Sequence, residues 1–163
     1  MAKNKEEKTN VMRVLEQKKI AYTAHTYPHE EGMAVDGVTV AKSMGFDPAA
    51  VFKTLVARGA SKQYYVFDVP VAENLDLKKA AKAVGEKSIE MIHQKELLPL
   101  TGYVHGGCSP VGMKKLFPTV FHETAENLET MIVSAGKIGY QVELAPHDLA
   151  ALVRAKFADI IVE

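Results

Sequence analysis

The sequence predicts a single α+β domain built on a mixed or antiparallel sheet with helices packed against it. Three observations predict it. Its 163 residues fit one domain, since domains run to about 100–200 residues. Helix-patterned and strand-patterned segments interleave along the whole chain without a linker or an internal repeat. Several strand pairs are joined by connections too short for the helical crossover that parallel neighbours require.

Residues 1–8 (MAKNKEEK) are charged and read as a solvated lead-in, leaving residues 9–163 as the domain. Val11, Val14, Leu15 and Lys18 follow helical spacing, with Thr9 or Asn10 as the cap. Residues 20–27 have strand density, and Pro28 stops them. A second helix is predicted over residues 38–44, capped by Asp36 and closed by Gly45. Asp47-Pro48 opens a single short turn. Residues 51–57 and 63–69 are strands flanking Gly59-Ala60-Ser61-Lys62, which suits a hairpin. Residues 75–84 form a helix rich in Ala, Leu and Lys, closed by Gly85.

Residues 89–92 read as a short strand, and 95–98 as one helical turn. The stretch 102–112 (GYVHGGCSPVG) holds four of the 11 glycines and reads as a loop. Strands follow at 119–122, 131–134 and 140–144, and a last helix at 146–155 starts on Pro146.

Composition excludes several function classes. Twenty basic residues balance twenty acidic ones, whereas a protein held to nucleic acid mainly through phosphates carries a basic excess. Weak or partner-assisted contact with one RNA end stays open. The single cysteine, Cys108, rules out an internal disulfide and a multi-cysteine zinc site and fits a reducing cytosol. No apolar run approaches the roughly 18 residues of a membrane span, and the start lacks a secretory signal, so a cytoplasmic protein is expected.

Gly107 and Gly112 have the separation of a P-loop, but Met113 stands where that motif needs Lys, and Pro110 removes a backbone donor. His25 and His29 stand four apart, yet Tyr27-Pro28 disfavours a helix through them, so they read as surface or edge-strand histidines. No GxSxG elbow is present. Cys108 near His105 permits a nucleophile reading, while a lone cysteine is more often a small buried apolar group.

Three segments carry chemistry. In Val51-Phe52-Lys53-Thr54-Leu55, strand alternation puts Lys53 on the face of Val51 and Leu55. It is either an edge lysine snorkelling to water or a site lysine held against apolar neighbours. Residues 106–112 (GGCSPVG) form a surface loop or a turn whose N–H groups face a ligand. In residues 133–137 (VSAGK) a strand runs into a turn, with the Ser134 hydroxyl at its end.

The order FKTL, GGxSPxG, VSxGK and a VEL/PxDL ending resembles the YbaK/EbsC family, relatives of the editing domain inserted in bacterial prolyl-tRNA synthetases. His25-Thr26-Tyr27 and residues 74–81 (NLDLKKAA) also match, and the likeness runs from about Thr9 to Ile161. The resemblance implies a compact α/β domain on a mixed, barrel-like sheet surrounded by helices. It implies an aminoacyl-tRNA deacylase that edits mischarged tRNA in trans, foremost Cys-tRNA(Pro), with no metal and no cofactor.

By the same resemblance Lys53 is the catalytic residue. Tyr27, Thr54, Gly106, Gly107, Ser109 and Ser134 bind substrate, Gly107 through its backbone near the scissile ester. The implied partners are the 3′ end of mischarged tRNA and prolyl-tRNA synthetase. An Ala-tRNA(Pro)-type hydrolase and a non-catalytic binding protein using the same pocket are the alternatives. Two departures stand out: Cys108 replaces an aliphatic residue, and Ala135 replaces a glycine that would matter if its φ were positive.

Overall fold

The computed structural model describes residues 8–30, 33 and 35–163. Apart from Lys8, the lead-in assigned to residues 1–8 lies outside the described residues.

Helix α1 (Asn10–Gln17) begins where the Thr9 side chain accepts a hydrogen bond from the Met12 N–H at 3.2 Å, and it buries Val11, Met12 and Leu15. Strand β1 is shorter than its pattern, Thr23–Thr26. Asp36 caps α2 (Gly37–Ser43) by accepting from the Thr39 N–H, and Asp47 caps a 3₁₀ turn at Pro48–Ala50. The hairpin forms as expected from β2 (Phe52–Gly59) and β3 (Tyr64–Pro70), with Lys62 at φ 77° in the turn. Asp76 caps α3 (Leu77–Val84), and Gly85 ends it in the left-handed conformation.

Beyond β4 (Ile89–Met91), the single turn expected at 95–98 is a full helix, α4 (Gln94–Thr101). Pro99 inside it argues against a helix from sequence. The ends compensate: the Glu96 carboxylate accepts from the His93 N–H at 2.9 Å, and the Thr101 hydroxyl donates to Leu97 O at 2.7 Å. Strands β5 (Thr119–His122), β6 (Met131–Ser134) and β7 (Tyr140–Leu144) match their patterns. The last helix, α5, spans Pro146–Val153 rather than reaching residue 155. Arg154 takes the left-handed conformation (φ 58°) and breaks it, and Ala155–Ala158 forms a further strand, β8.

The strands make two sheets. One is mixed, in the order β4-β2-β3-β5-β8, with β3-β5 and β5-β8 parallel; the other is antiparallel, β1-β7-β6. The larger sheet is mixed and flanked by helices, as expected, and among the described residues no closed barrel forms. The sheets meet through a parallel bridge between Val51 and Ile132, at the entrance to β2. The main core lies between their faces: Phe52, Val56, Val66 and Phe121 from one, Met131, Val133, Val142 and Leu144 from the other. Helices α1 and α5 close it with Leu15 and Leu149. The outer face of the larger sheet buries Ala57, Phe67 and Val69 against Ala80 and Ala81 of α3. Alternation along β2 therefore sends Phe52, Thr54 and Val56 to the main core, and Lys53 and Leu55 to the other side.

Candidate active site

A cavity of about 480 Å³ opens where the start of β2, the N-terminus of α2, the 102–112 loop and the facing ends of β6 and β7 converge. Tyr27, Lys53, Thr54, Gly106, Cys108 and Ser134 all line it. Segments far apart in the chain thus share one pocket.

Lys53 is half-buried, and desolvation lowers its pKa from the ordinary lysine value, opposed by the carboxylates of Asp36 and Glu73. Its ammonium forms no ion pair within 4.0 Å among the described residues. It is left available to a ligand, with two acids nearby that partly offset its desolvation. Tyr27 is buried, and its N–H donates to Gly139 O at 2.9 Å, which ties the end of β1 to the turn before β7.

Ser134 ends β6, and its Oγ accepts from the Gly136 N–H at 3.1 Å, so the hydroxyl hydrogen remains free to donate. Gly136 makes this turn possible: its φ is 93°, and an added Cβ would sit 2.9 Å from Tyr103 Cε1. Ala135 has no positive φ, and its N–H donates to Tyr140 O at 2.9 Å. The replacement of a glycine there carries no backbone strain.

The 102–112 loop divides its residues between surface and support. Gly106, at φ 88°, faces the cavity. Gly107 and Ser109 are not among the lining residues. A Cβ on Gly107 would lie 3.0 Å from Ile138 N, and its own N–H is spent on Val104 O at 2.9 Å. Ser109 is fully buried, and its Oγ accepts from the Val111 N–H at 3.2 Å. Gly107 thus packs the loop against the β6–β7 turn, and Ser109 ties the loop to itself.

Cys108 lines the cavity, but burial pushes its thiol up to about 12, with the charge of Asp68 acting in the same direction. At neutral pH it is a thiol, not a thiolate. His25 Nε2 lies 2.8 Å from Glu143 Oε1, and His29 Nδ1 lies 2.9 Å from Tyr27 O, so the two histidines serve separate local bonds.

Sequence reasoning misses three polar residues here. Asp36 reads from sequence only as a helix cap, yet it lines the cavity. Gln141 lines it too, and its buried Oε1 has no hydrogen-bond partner among the described residues. Asp68 lies behind the wall, accepting from the Thr54 hydroxyl at 2.5 Å. Its signal is one acid in the apolar run Tyr65-Val66-Phe67-Asp68-Val69, at the alternation of an inward position.

Fold and pocket together define a class: a small α+β domain with a cavity lined by a lysine and a serine from distant parts of the chain. The comparisons place it. Residues 29–152 match the model of the aminoacyl-tRNA editing domain. EbsC of Enterococcus faecalis, assigned as a Cys-tRNA(Pro)/Cys-tRNA(Cys) deacylase, is 46% identical over 161 residues, covering 98% of each chain. A solved structure described as a trans-editing enzyme for prolyl-tRNA synthetase is similar at 25% identity and a TM-score of 0.79, covering 94% of this chain and 95% of that one. The chain belongs to the aminoacyl-tRNA editing family.

Proposed function

We propose that this protein is an aminoacyl-tRNA deacylase that edits in trans, releasing cysteine from Cys-tRNA(Pro), with Lys53 as its catalytic residue. The observation that carries the reading is the half-buried Lys53 ammonium, without an ion pair among the described residues, in a cavity that also holds the Ser134 hydroxyl. Family membership and the identity to EbsC support the choice of substrate class.

An aminoacyl ester is already activated, so the site must orient it and stabilise charge rather than supply a strong nucleophile. Lys53 holds the ester carbonyl oxygen and offsets the negative charge that develops there. Ser134 donates a second hydrogen bond from the wall of the same cavity. For a cysteinyl ester the substrate's own sulfur attacks its carbonyl carbon. A carbon–sulfur bond forms, the carbon–oxygen bond to the ribose breaks, and the thiol proton passes to the departing ribose hydroxyl. The products are a cyclic thiolactone and intact tRNA. Cys108, held as a neutral thiol, does not compete as a nucleophile. The action belongs in the cytosol, with prolyl-tRNA synthetase as the partner that supplies tRNA recognition.

The test is Lys53→Ala against Cys- and Ala-tRNA(Pro). Turnover of Cys-tRNA(Pro) falls at least about a hundredfold, as for other charge-stabilising groups, while the thermal melt is retained. Because desolvation lowers the Lys53 pKa, wild-type activity declines on the alkaline side below the ordinary lysine range. A wild-type protein that leaves every mischarged tRNA intact overturns the enzyme reading. Preference for Ala-tRNA(Pro) overturns the cysteine assignment alone.

A further inference from the structure

Behind the cavity wall lies a carboxyl group that the deacylation step does not use. Asp68 in β3 stands directly across from Thr54 in β2, on the face turned to the main core, and is fully buried. The Thr54 hydroxyl donates to Asp68 Oδ1 at 2.5 Å, a close pairing of two side chains directly across the hairpin. The other oxygen, Oδ2, is buried with no hydrogen-bond partner among the described residues. A half-satisfied carboxylate in an apolar interior costs stability, and a Thr–Asp pair is a poor choice for packing alone.

Thr54 lines the cavity. A hydroxyl has one hydrogen and two lone pairs, and the hydrogen here is committed to Asp68. Only lone pairs remain to face a ligand. We propose that Asp68 is a positioning residue that fixes Thr54 as a hydrogen-bond acceptor in the pocket, selecting ligand groups that donate, such as an α-amino group or a free ribose hydroxyl. The proposal rests on the aminoacyl-ester reading above, because such an ester carries both kinds of group. Lys53 and Ser134 donate to its oxygens, and Thr54, with the unpartnered Gln141 Oε1, accepts from its N–H or O–H groups.

Protonation reverses the arrangement. A protonated Asp68 donates to Thr54 Oγ1, and the threonine hydrogen turns toward the cavity. Burial pushes Asp68 up to about 7, with the Thr54 bond acting the other way. Around it, β2 contributes Thr54, β5 contributes Phe121, and the 102–112 loop contributes the Cys108 thiol. That thiol and Tyr103 beyond it are both raised to about 12, so neither titrates in the same range.

The experiment has two arms. In the first, carbon-13 NMR follows the Asp68 carboxyl in wild type and in Thr54→Val. It titrates near neutrality in wild type and moves upward in Thr54→Val, and an unchanged titration overturns the proposal. In the second, kcat/KM on Cys-tRNA(Pro) is measured from pH 5.5 to 8.5, and the ratio of wild type to Asp68→Asn is taken so that substrate ionisation cancels. The ratio rises about tenfold with pH, the worth of one hydrogen bond to a charged group, and the rise vanishes when Thr54→Val is added to both proteins. A flat ratio, or a rise that persists without Thr54, overturns the proposal. If Asp68→Asn does not fold, Thr54→Ser retains the pH transition and Thr54→Val lacks it; equal profiles count against the pair. Inertness toward every mischarged tRNA defeats the deacylase reading instead, and the NMR arm still decides the Thr54–Asp68 coupling.

Discussion

Lys53 and Asp68 lie on opposite faces of one hairpin, and burial drives both toward their neutral forms. For Lys53 the nearby carboxylates of Asp36 and Glu73 oppose that drive. Burial raises the Asp68 carboxyl from 3.8 to about 7, opposed among the described residues by the Thr54 hydroxyl. Between those two values the folded protein binds a proton that the unfolded chain has released. The stability contributed by Asp68 is therefore present at low pH and lost as pH rises through about 7. Asp68→Asn removes that loss. In urea denaturation at pH 5 and pH 8, the variant gains on wild type as pH rises, by a few kcal/mol in order of magnitude. A gap that stays constant between the two pH values contradicts the buried, raised carboxyl. The contrast also shows what sequence carries: Lys53 is marked by its apolar neighbours and the motif around it. Asp68 belongs to no motif, and its partner Thr54 sits 14 positions away.

At the scale of elements, the legible parts are those with a local chemical mark. Thr9, Asp36 and Asp47 each cap the helix or turn that follows, and Gly85 ends α3, whereas the Asp76 cap starts α3 at Leu77, inside the expected start at 75. What escapes notice lacks such marks or carries a misleading one. Arg154 adopts the left-handed conformation that Gly or Asn usually signals, so the pattern runs the start of β8 into the last helix. Pro99 disguises α4. The junction of the two sheets at Val51 and Ile132 is a contact between distant parts of the chain, beyond the reach of local pattern. The β6–β7 turn makes the same point from the other side, because its glycine answers to a distant ring. Gly136→Ala would place a Cβ 2.9 Å from Tyr103 Cε1 and 3.1 Å from Val11 Cγ2, on a backbone at φ 93°. The expected cost is about 1–3 kcal/mol, read as a lowered melting temperature. Displacement of Ser134 lowers kcat/KM further than the stability loss accounts for. A Gly136→Ala variant with wild-type melting and turnover removes the turn from the site's construction.

At the scale of the whole molecule, charge balance sets how the protein meets its substrate. With twenty basic and twenty acidic residues, the domain has no net attraction for a polyanion. Association with nucleic acid through phosphates is driven by counterion release, and its salt dependence counts the phosphates neutralised. A cavity of about 480 Å³ has room for an aminoacyl group and part of a terminal nucleoside, not for a tRNA body. Contact confined to the 3′ end neutralises few phosphates. The logarithm of kcat/KM against the logarithm of salt concentration is therefore expected to fall with a slope of magnitude below about 3, where an extended phosphate interface of six to ten contacts gives roughly 5–9. Prolyl-tRNA synthetase, if it supplies the missing recognition, raises kcat/KM for Cys-tRNA(Pro) and steepens that slope, because the assembly then holds the tRNA body. A steep slope for the isolated protein would mean that a basic surface on this domain binds the tRNA directly, and the partner would be unnecessary.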